Sequence, residues 1–536
     1  MAKRFAHLIA LAFLLCSGLD GFLFPVSFPQ GTRSDEGRRS LASGMSLLQE
    51  GKSREALRIF EDGLKAEPHN VQLLNAAGSA LMLMNEFDQA GQHFAQAISV
   101  QPRFIPAHKN LGISLWMRGK GNEARKEFEL VLRADPKEPT AKLFLGLIAA
   151  RQRDFPSTIR YLEQTPSSLL ENRPEALLAL AGSYYECNRP EDGTATIRRI
   201  RLLPALPVEW ASLAGKLAAD HGAYEEALSL LDIASKQSRD PATAVYNLAF
   251  VHYKLGHFSQ ARELVGTAIE RGKQTGDLYN LLGWISEQAG DTREAVNALR
   301  RAIELEPLRE EHYLDLSTIC LEHQGTDDLA GEIIDIGLQR IPNSYHLLVQ
   351  RGVIQEKRGR HSEALQSFHE AQKLHPEYGL ALLSEGITYW QANNLAEAVQ
   401  CFKLGIRRFP KDYRFHYFYG LAGEKLNMTA GGSAGNFAEA RDALTKAIDL
   451  EPSFPDSHFV LGKIYFRTQH VKEAQREFER TLVLNPAHVE AKYWLAKIYQ
   501  QIGRGEEAAK LAGEVGEARR RGLEEESQMR IVLIRK

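Results

Sequence analysis

The sequence predicts an all-α chain of repeated antiparallel helix pairs, on three observations. Prolines recur at a fixed interval: Pro68, Pro102 and Pro136 are 34 residues apart, as are Pro342, Pro376 and Pro410, and Pro452 and Pro486. Alanines keep the same beat at Ala56, Ala90 and Ala124, at Ala227, Ala261 and Ala295, at Ala364 and Ala398, and at Ala440, Ala474 and Ala508. Where the proline exists it follows its alanine by 12 residues, and glycines stand 12 residues before the alanines at Gly44, Gly78, Gly112, Gly215, Gly283, Gly352, Gly386 and Gly462. Three residue types held in phase from Gly44 to Ala508 mark an internal repeat.

Composition narrows the class. Division of 536 residues by roughly 150 per domain suggests three or four domains, but the repeat replaces that expectation with one array. With 44% hydrophobic and 25% charged residues, the chain is too apolar for disorder and too polar for a membrane bundle. Sixty-six basic against 68 acidic residues leave a net charge of −2, without the bulk positive field of a nucleic-acid binder. Four cysteines are too few for a disulfide scaffold.

The first element is a leader. Lys3 and Arg4 precede an apolar run from Phe5 to Cys16, of signal-peptide length and too short for a bilayer span of about 20 residues. Cys16-Ser17-Gly18 offers small residues for a cut after Gly18, so residues 1–18 read as a signal peptide and the chain as exported, periplasmic or secreted. The fairly apolar Leu19 to Val26 keeps an uncleaved N-terminal anchor open, and no other stable membrane span is expected. Leu15 stands where a small residue would precede a lipidated cysteine. Residues 19–36 read as a linker.

One period then explains the rest. In Phe104 to Asp135, Ala107, Leu111, Leu115 and Trp116 recur at helical spacing, and Gly119 stops that helix as a C-terminal glycine does. Ala124, Phe128, Val131 and Leu132 form the apolar face of a second helix, which Pro136 ends. Gly112 and Ala124 are placed where the two helices cross. The stop glycine recurs at Gly51, Gly222, Gly256, Gly290, Gly359 and Gly503.

These residues resemble the tetratricopeptide repeat. Tyr279, Leu282, Gly283, Ala295, Leu299, Ala302 and Pro307 fit its W-x2-L-G…A-x3-F-x2-A…P signature, with Tyr for Trp and Leu for Phe; His458, Leu461, Gly462, Tyr465, Ala474, Phe478 and Pro486 fit it again. Fourteen units result. Residues 37–138 hold three, 139–207 hold two degenerate ones, and 208–522 hold nine, clearest at 276–309, 345–378, 379–412 and 455–488. In 139–207 Thr158 replaces the alanine and prolines crowd at Pro156, Pro166, Pro174, Pro190, Pro204 and Pro207, which marks the stretch as the place for a kink between two arrays. Glu506 to Arg521 suits a capping helix, and residues 523–536 form a short tail. The resemblance implies a right-handed superhelical solenoid whose first helices line a concave groove, because a lone helix pair cannot bury its apolar face.

Apparent catalytic motifs lose their meaning on this frame. Gly431-Gly432-Ser433-Ala434-Gly435 reads as G-x-S-x-G, but it lies in an insertion between two helices, where a nucleophile elbow needs a strand before it. Gly119 to Ala124 resembles a dinucleotide fingerprint but follows a helix. His369, Glu370 and His375 lack the spacing that lets two histidines share a metal. Cys187, Cys320 and Cys401 read as small buried thiols inside helices. Leader, repeats and tail use up the chain, so no catalytic residue, metal or cofactor is expected and the chain reads as a non-enzyme.

The resemblance places groove positions on Tyr246, Phe250, Tyr253, Asn280, Trp284, Glu287, Trp390 and Tyr417. Phe459, Phe466, Tyr493, Lys109, Lys357, Glu424, Lys425, Lys463 and Lys497 occupy further groove positions, and all five tryptophans fall in first helices. Lys109 and Asn110 are only fragments of the family's carboxylate clamp, with Ile113 where the clamp needs a polar residue. The expected function is a scaffold binding a peptide or protein segment in the concave groove, with no nucleic-acid partner. Two alternatives stay open: a non-catalytic subunit of an envelope glycosyl-transfer or export assembly, and a self-associating structural repeat.

Overall fold

Apolar residues at helical spacing, most runs closed by a left-handed residue or a proline, fold here as consecutive helices. The computed structural model describes residues 35–204, 206–237, 241–323, 327–429 and 437–520, which contain 29 α-helices and no strand. The leader, the Gly431–Gly435 string and the tail 523–536 lie outside the described residues. Asp35 and Glu36, expected in the linker, begin the first helix, Asp35–Gln49.

The period Ile105–Met117, turn, Gly121–Ala134 shows the construction. Gly119 takes φ +78°, a conformation that costs glycine little. The second helix ends at Ala134, and its capping residue Asp135 directly precedes Pro136. Its alanine is sealed: Ala56, Ala90, Ala124, Ala227, Ala261, Ala295, Ala364, Ala398 and Ala474 are all 0% exposed. The first-helix glycine is met by the residue four after that alanine. A Cβ on Gly112 would lie 2.9 Å from the Phe128 ring, and one on Gly283 would lie 2.6 Å from Leu299. The close approach at Gly112 is therefore made by Phe128, one helical turn past the expected Ala124.

Two compact units divide the chain after Ala268. In the first, a continuous apolar core runs from Ile113 to Val251 and passes straight through 139–207. The stretch where a kink is expected carries a local shortening. Helix Phe155–Glu163 has nine residues, a one-turn helix Ser167–Leu170 follows Pro166, and Pro174–Glu186 packs across the gap. Thr158 holds the alanine's place at 0% exposure because its hydroxyl donates to the Asp154 carbonyl at 2.9 Å. In the second unit, one core runs from Ala295 to Ala381 and another from Leu382 to Ala508. Helix Gly505–Arg520 is the last described helix of that unit, and it buries Ala508 and Val515.

Within each unit, helices meet their sequence neighbours, and successive first helices also pack on one another, as Tyr345–Lys357 does on Leu380–Gln391. Second helices meet in this way at Pro190–Arg201 and Tyr224–Gln237. The first helices therefore sit on the inner side of the local stack. No helix among the described residues is long and apolar enough to cross a membrane.

Candidate functional site

The inner faces of the first helices are the candidate site, because they present polar and aromatic side chains at one repeated register. In the first unit, helix Pro241–Lys254 places Tyr246 and Phe250 one turn apart with ring centres at 6.3 Å, nearly parallel. Lys254 Nζ lies 5.4 Å from the Phe250 ring and 5.7 Å from that of Tyr253. All three aromatics are half-buried. Upstream, the Arg151 guanidinium covers the Trp116 ring at 3.7 Å, and burial lowers the pKa of that arginine.

In the second unit, Asn280, Trp284 and Glu287 all reach the following first helix, Glu310–Glu322, or its end. Asn280 Nδ2 donates to Asp315 Oδ2 at 2.7 Å, and the Trp284 side chain also hydrogen-bonds Asp315. Burial pushes the Asp315 carboxyl above its usual range, and these two hydrogen bonds oppose the shift. Glu287 Oε1 lies 2.9 Å from His323 Nε2. Residues placed on the groove by position thus spend much of their polarity on rungs between repeats. The same rungs join Asn110 to Asn75 at 3.0 Å and Lys357 to the Leu321 carbonyl at 2.8 Å. Asp315, His323 and Asn75 were missed by position alone. Their signal is an offset of 35 or 36 residues, one period plus a residue or two.

Further along, Tyr417 is 7% exposed, with the Phe454 ring 5.0 Å away at 88°, so it packs in the seam between repeats. Trp390 is half-buried, with Lys425 Nζ 5.1 Å from its ring. Glu424 is 2% exposed and held by Arg467 Nε at 3.1 Å and Lys463 Nζ at 3.4 Å. Lys109 pairs with Glu138 at 3.2 Å. The Tyr246 group falls in the first compact unit and the Trp284 group in the second.

The residues weighed for chemistry disperse. His369 bonds Glu385 at 2.8 Å, Glu370 bonds Arg351 at 2.6 Å, and His375 bonds Glu377 at 2.9 Å. Among the described residues no group of three or more His, Cys, Asp and Glu is placed to hold a metal ion. The three described cysteines are free thiols. Cys187 stands just past a helix rather than inside it. Burial, with Glu385 nearby, pushes the Cys401 thiol up to about 12, away from thiolate reactivity.

Comparison with known proteins agrees with this architecture. Relatives in curated sequence include "Protein O-mannosyl-transferase TMTC3" of Homo sapiens, 24% identical over 435 residues, 80% of this chain and 40% of the relative. "Protein CTR9 homolog" of Arabidopsis thaliana is 24% identical over 348 residues, 62% of this chain and 32% of the relative. The chain thus spans well under half the length of these two relatives. Among solved structures, yeast Tom70 aligns over 90% of this chain and 92% of its own at 14% identity, with a TM-score of 0.38. Three family models, each described as tetratricopeptide repeat, match: one at 47–111, 218–285 and 433–483, a second at 109–165, 349–413, 383–427 and 463–520, and a third at 276–307. With helix pairs, buried alanines and first-helix faces arranged as described, the chain belongs to the tetratricopeptide repeat family.

Proposed function

We propose that the chain is a non-enzymatic scaffold of fourteen repeats that holds a protein or peptide segment against the inner faces of its first helices. The observation that supports this reading is that successive first helices pack on one another, which leaves an inner face in each unit carrying half-buried aromatics beside cations. Such faces offer aromatic surface, which is enriched at interface cores, beside charge that suits a polar rim. Tyr246, Phe250 and Tyr253 form the patch of the first unit, and Asn280, Trp284, Glu287, Trp390 and Tyr417 frame that of the second. The positive leader and its apolar core support export, with a cleaved signal peptide or an N-terminal anchor. The test is crosslinking of the intact protein in its own cells. Captured partners are compared with those of Tyr246→Ala/Trp284→Ala, after circular dichroism has shown that the variant is folded. Loss of at least one partner is expected. An identical captured set, or turnover by the purified chain, overturns the reading.

A second reading is favoured by one observation: the human relative named an O-mannosyl-transferase is matched over only 40% of its length. On that reading the chain is the non-catalytic repeat subunit of a glycosyl-transfer or export assembly. Co-purification with a transferase, with activity residing in that partner, would select it.

A further inference from the structure

Across four consecutive first helices of the second unit, three lysines are set over aromatic rings. The helices are Leu380–Gln391, Tyr413–Thr429, Pro455–Arg467 and Val489–Gln501. Lys425 Nζ lies 5.1 Å from the Trp390 ring, which belongs to the preceding helix. Lys463 Nζ lies 5.7 Å from Phe459 in its own helix. Lys497 Nζ lies 5.3 Å from Trp494 and 5.6 Å from Phe466 of the preceding helix. A ring face attracts an ammonium and restrains its long stem, so these charges are held in place before any ligand arrives.

The charge is not cancelled locally. Lys425 and Lys497 make no ion pair among the described residues. Glu424 is the acidic residue at this end of the helices, and it is already enclosed by Lys463 and Arg467. Four cations against one carboxylate leave a surplus of three on this stripe, in a chain whose net charge is −2. Asp456 and Glu490 stand at the opposite, amino-terminal ends of their helices. Asp456 faces His488 at 3.5 Å. Tyr493, 42% exposed and one turn before Lys497, adds an apolar surface beside the cations.

We infer that this stripe binds an extended acidic peptide segment, with carboxylates against Lys425, Lys463 and Lys497 and an apolar side chain against Tyr493. The inference rests on the reading of the inner face as a binding face and specifies the chemistry of its occupant. Charge complementarity selects an anion. The state of the rings selects peptide over nucleic acid. Base stacking along a strand needs successive open ring faces, whereas Phe459 is 7% exposed, Trp390 and Trp494 are half-buried beneath lysines, and of these rings Tyr493 alone is exposed.

The test titrates the full chain into a short fluorescein-labelled peptide alternating Glu and Leu and reads anisotropy. Gln–Leu and Lys–Leu counterparts and a single-stranded oligonucleotide serve as alternatives. The Glu–Leu peptide is expected to bind about tenfold tighter than the Gln–Leu peptide at low salt, the scale of a few screened charge contacts. The preference should fade as salt approaches about 1 M, where screening acts within roughly 3 Å. Lys425→Gln/Lys497→Gln should remove most of it with an unchanged melting curve, since neither lysine holds Glu424. Lys425→Glu/Lys497→Glu should come to favour the Lys–Leu peptide. Equal or tighter binding of the Gln–Leu or Lys–Leu peptide by the wild type overturns the inference and leaves the scaffold reading standing. Retention of the acidic preference in either double variant, or tighter binding of the oligonucleotide, also overturns it. Failure of every peptide to bind counts against both.

Discussion

The Phe94 ring fills the space that a side chain on Gly78 would need. A Cβ built there would lie 2.5 Å from Phe94 Cε1 and 2.8 Å from Cδ1 and Cζ, and Phe94 itself is 0% exposed. Gly78→Ala must therefore push a ring that has no free direction. Overpacking of this kind costs about 1–3 kcal/mol, and alanine returns only about 0.5–1 kcal/mol in helix preference. A net loss on the order of 1 kcal/mol is expected, read by calorimetry as a lower melting temperature. A melt at or above the wild-type value would refute the steric account.

The same period places a left-handed residue after nearly every first helix. Gly51, Gly119, Gly222, Gly256, Gly290, Gly359 and Gly503 fill it, but Gln469 stands there at φ 67°. A side chain in this region costs roughly 1–2 kcal/mol, partly offset by the chain entropy that glycine loses. Gln469→Gly should stabilise the protein by about 0.5–1 kcal/mol, seen as a higher denaturant midpoint with an unchanged slope.

Asp315 makes acid–base behaviour informative. Burial raises its folded-state pKa above the unfolded value, so the native state holds its proton more tightly. Stability from this group is full below the unfolded pKa and declines as pH rises through the raised folded value. Asp315→Asn keeps an oxygen to accept from Asn280 and removes the buried charge. The variant should melt higher than wild type near neutral pH and equally in acid. Parallel melts at the two conditions check this.

Tyr419 donates its hydroxyl to Glu439, and burial followed by that hydrogen bond pushes the phenol up to about 12. Tyr184, bonded to Glu163 at 2.9 Å, is likewise raised to about 12 by burial first. With folded values above the ordinary phenol range near 10, their stabilisation is full below that range and is lost as pH rises toward about 12. A phenolate absorbance titration should show a late component, and Tyr419→Phe should remove part of it.

The backbone plan was legible because its markers are local. Alanine, glycine and proline each report one contact: Ala124 is sealed, Gly119 is left-handed, and Pro136 follows a helix end. What escaped depends on neighbours. Asn85, Arg153, Asn188, Asn393 and Gln469 share the left-handed position, but only glycine advertises it. The rung from Asn280 to Asp315 requires two helices in a particular rotation. Tyr417 occupies a groove position, yet Phe454, from the turn before the next repeat, covers it. Thr158 looked like a break because its hydroxyl bond to the preceding turn is invisible to pattern. The division after Ala268 carries no composition signal, and it assigns Tyr246 and Trp284 to different units.

Among the described residues, the main helix contacts within each unit join near neighbours in sequence, and no extensive contact clasps the two ends of a stack together. Such a polymer behaves as a one-dimensional lattice, whose cohesion is a sum of links rather than a closed circuit. Disorder entering at an exposed rim must advance rung by rung, and a lesion such as a broken Asn280–Asp315 link softens its flanks while distant repeats keep their order. Amide protection should accordingly form a gradient that rises from each rim toward the interior of a stack.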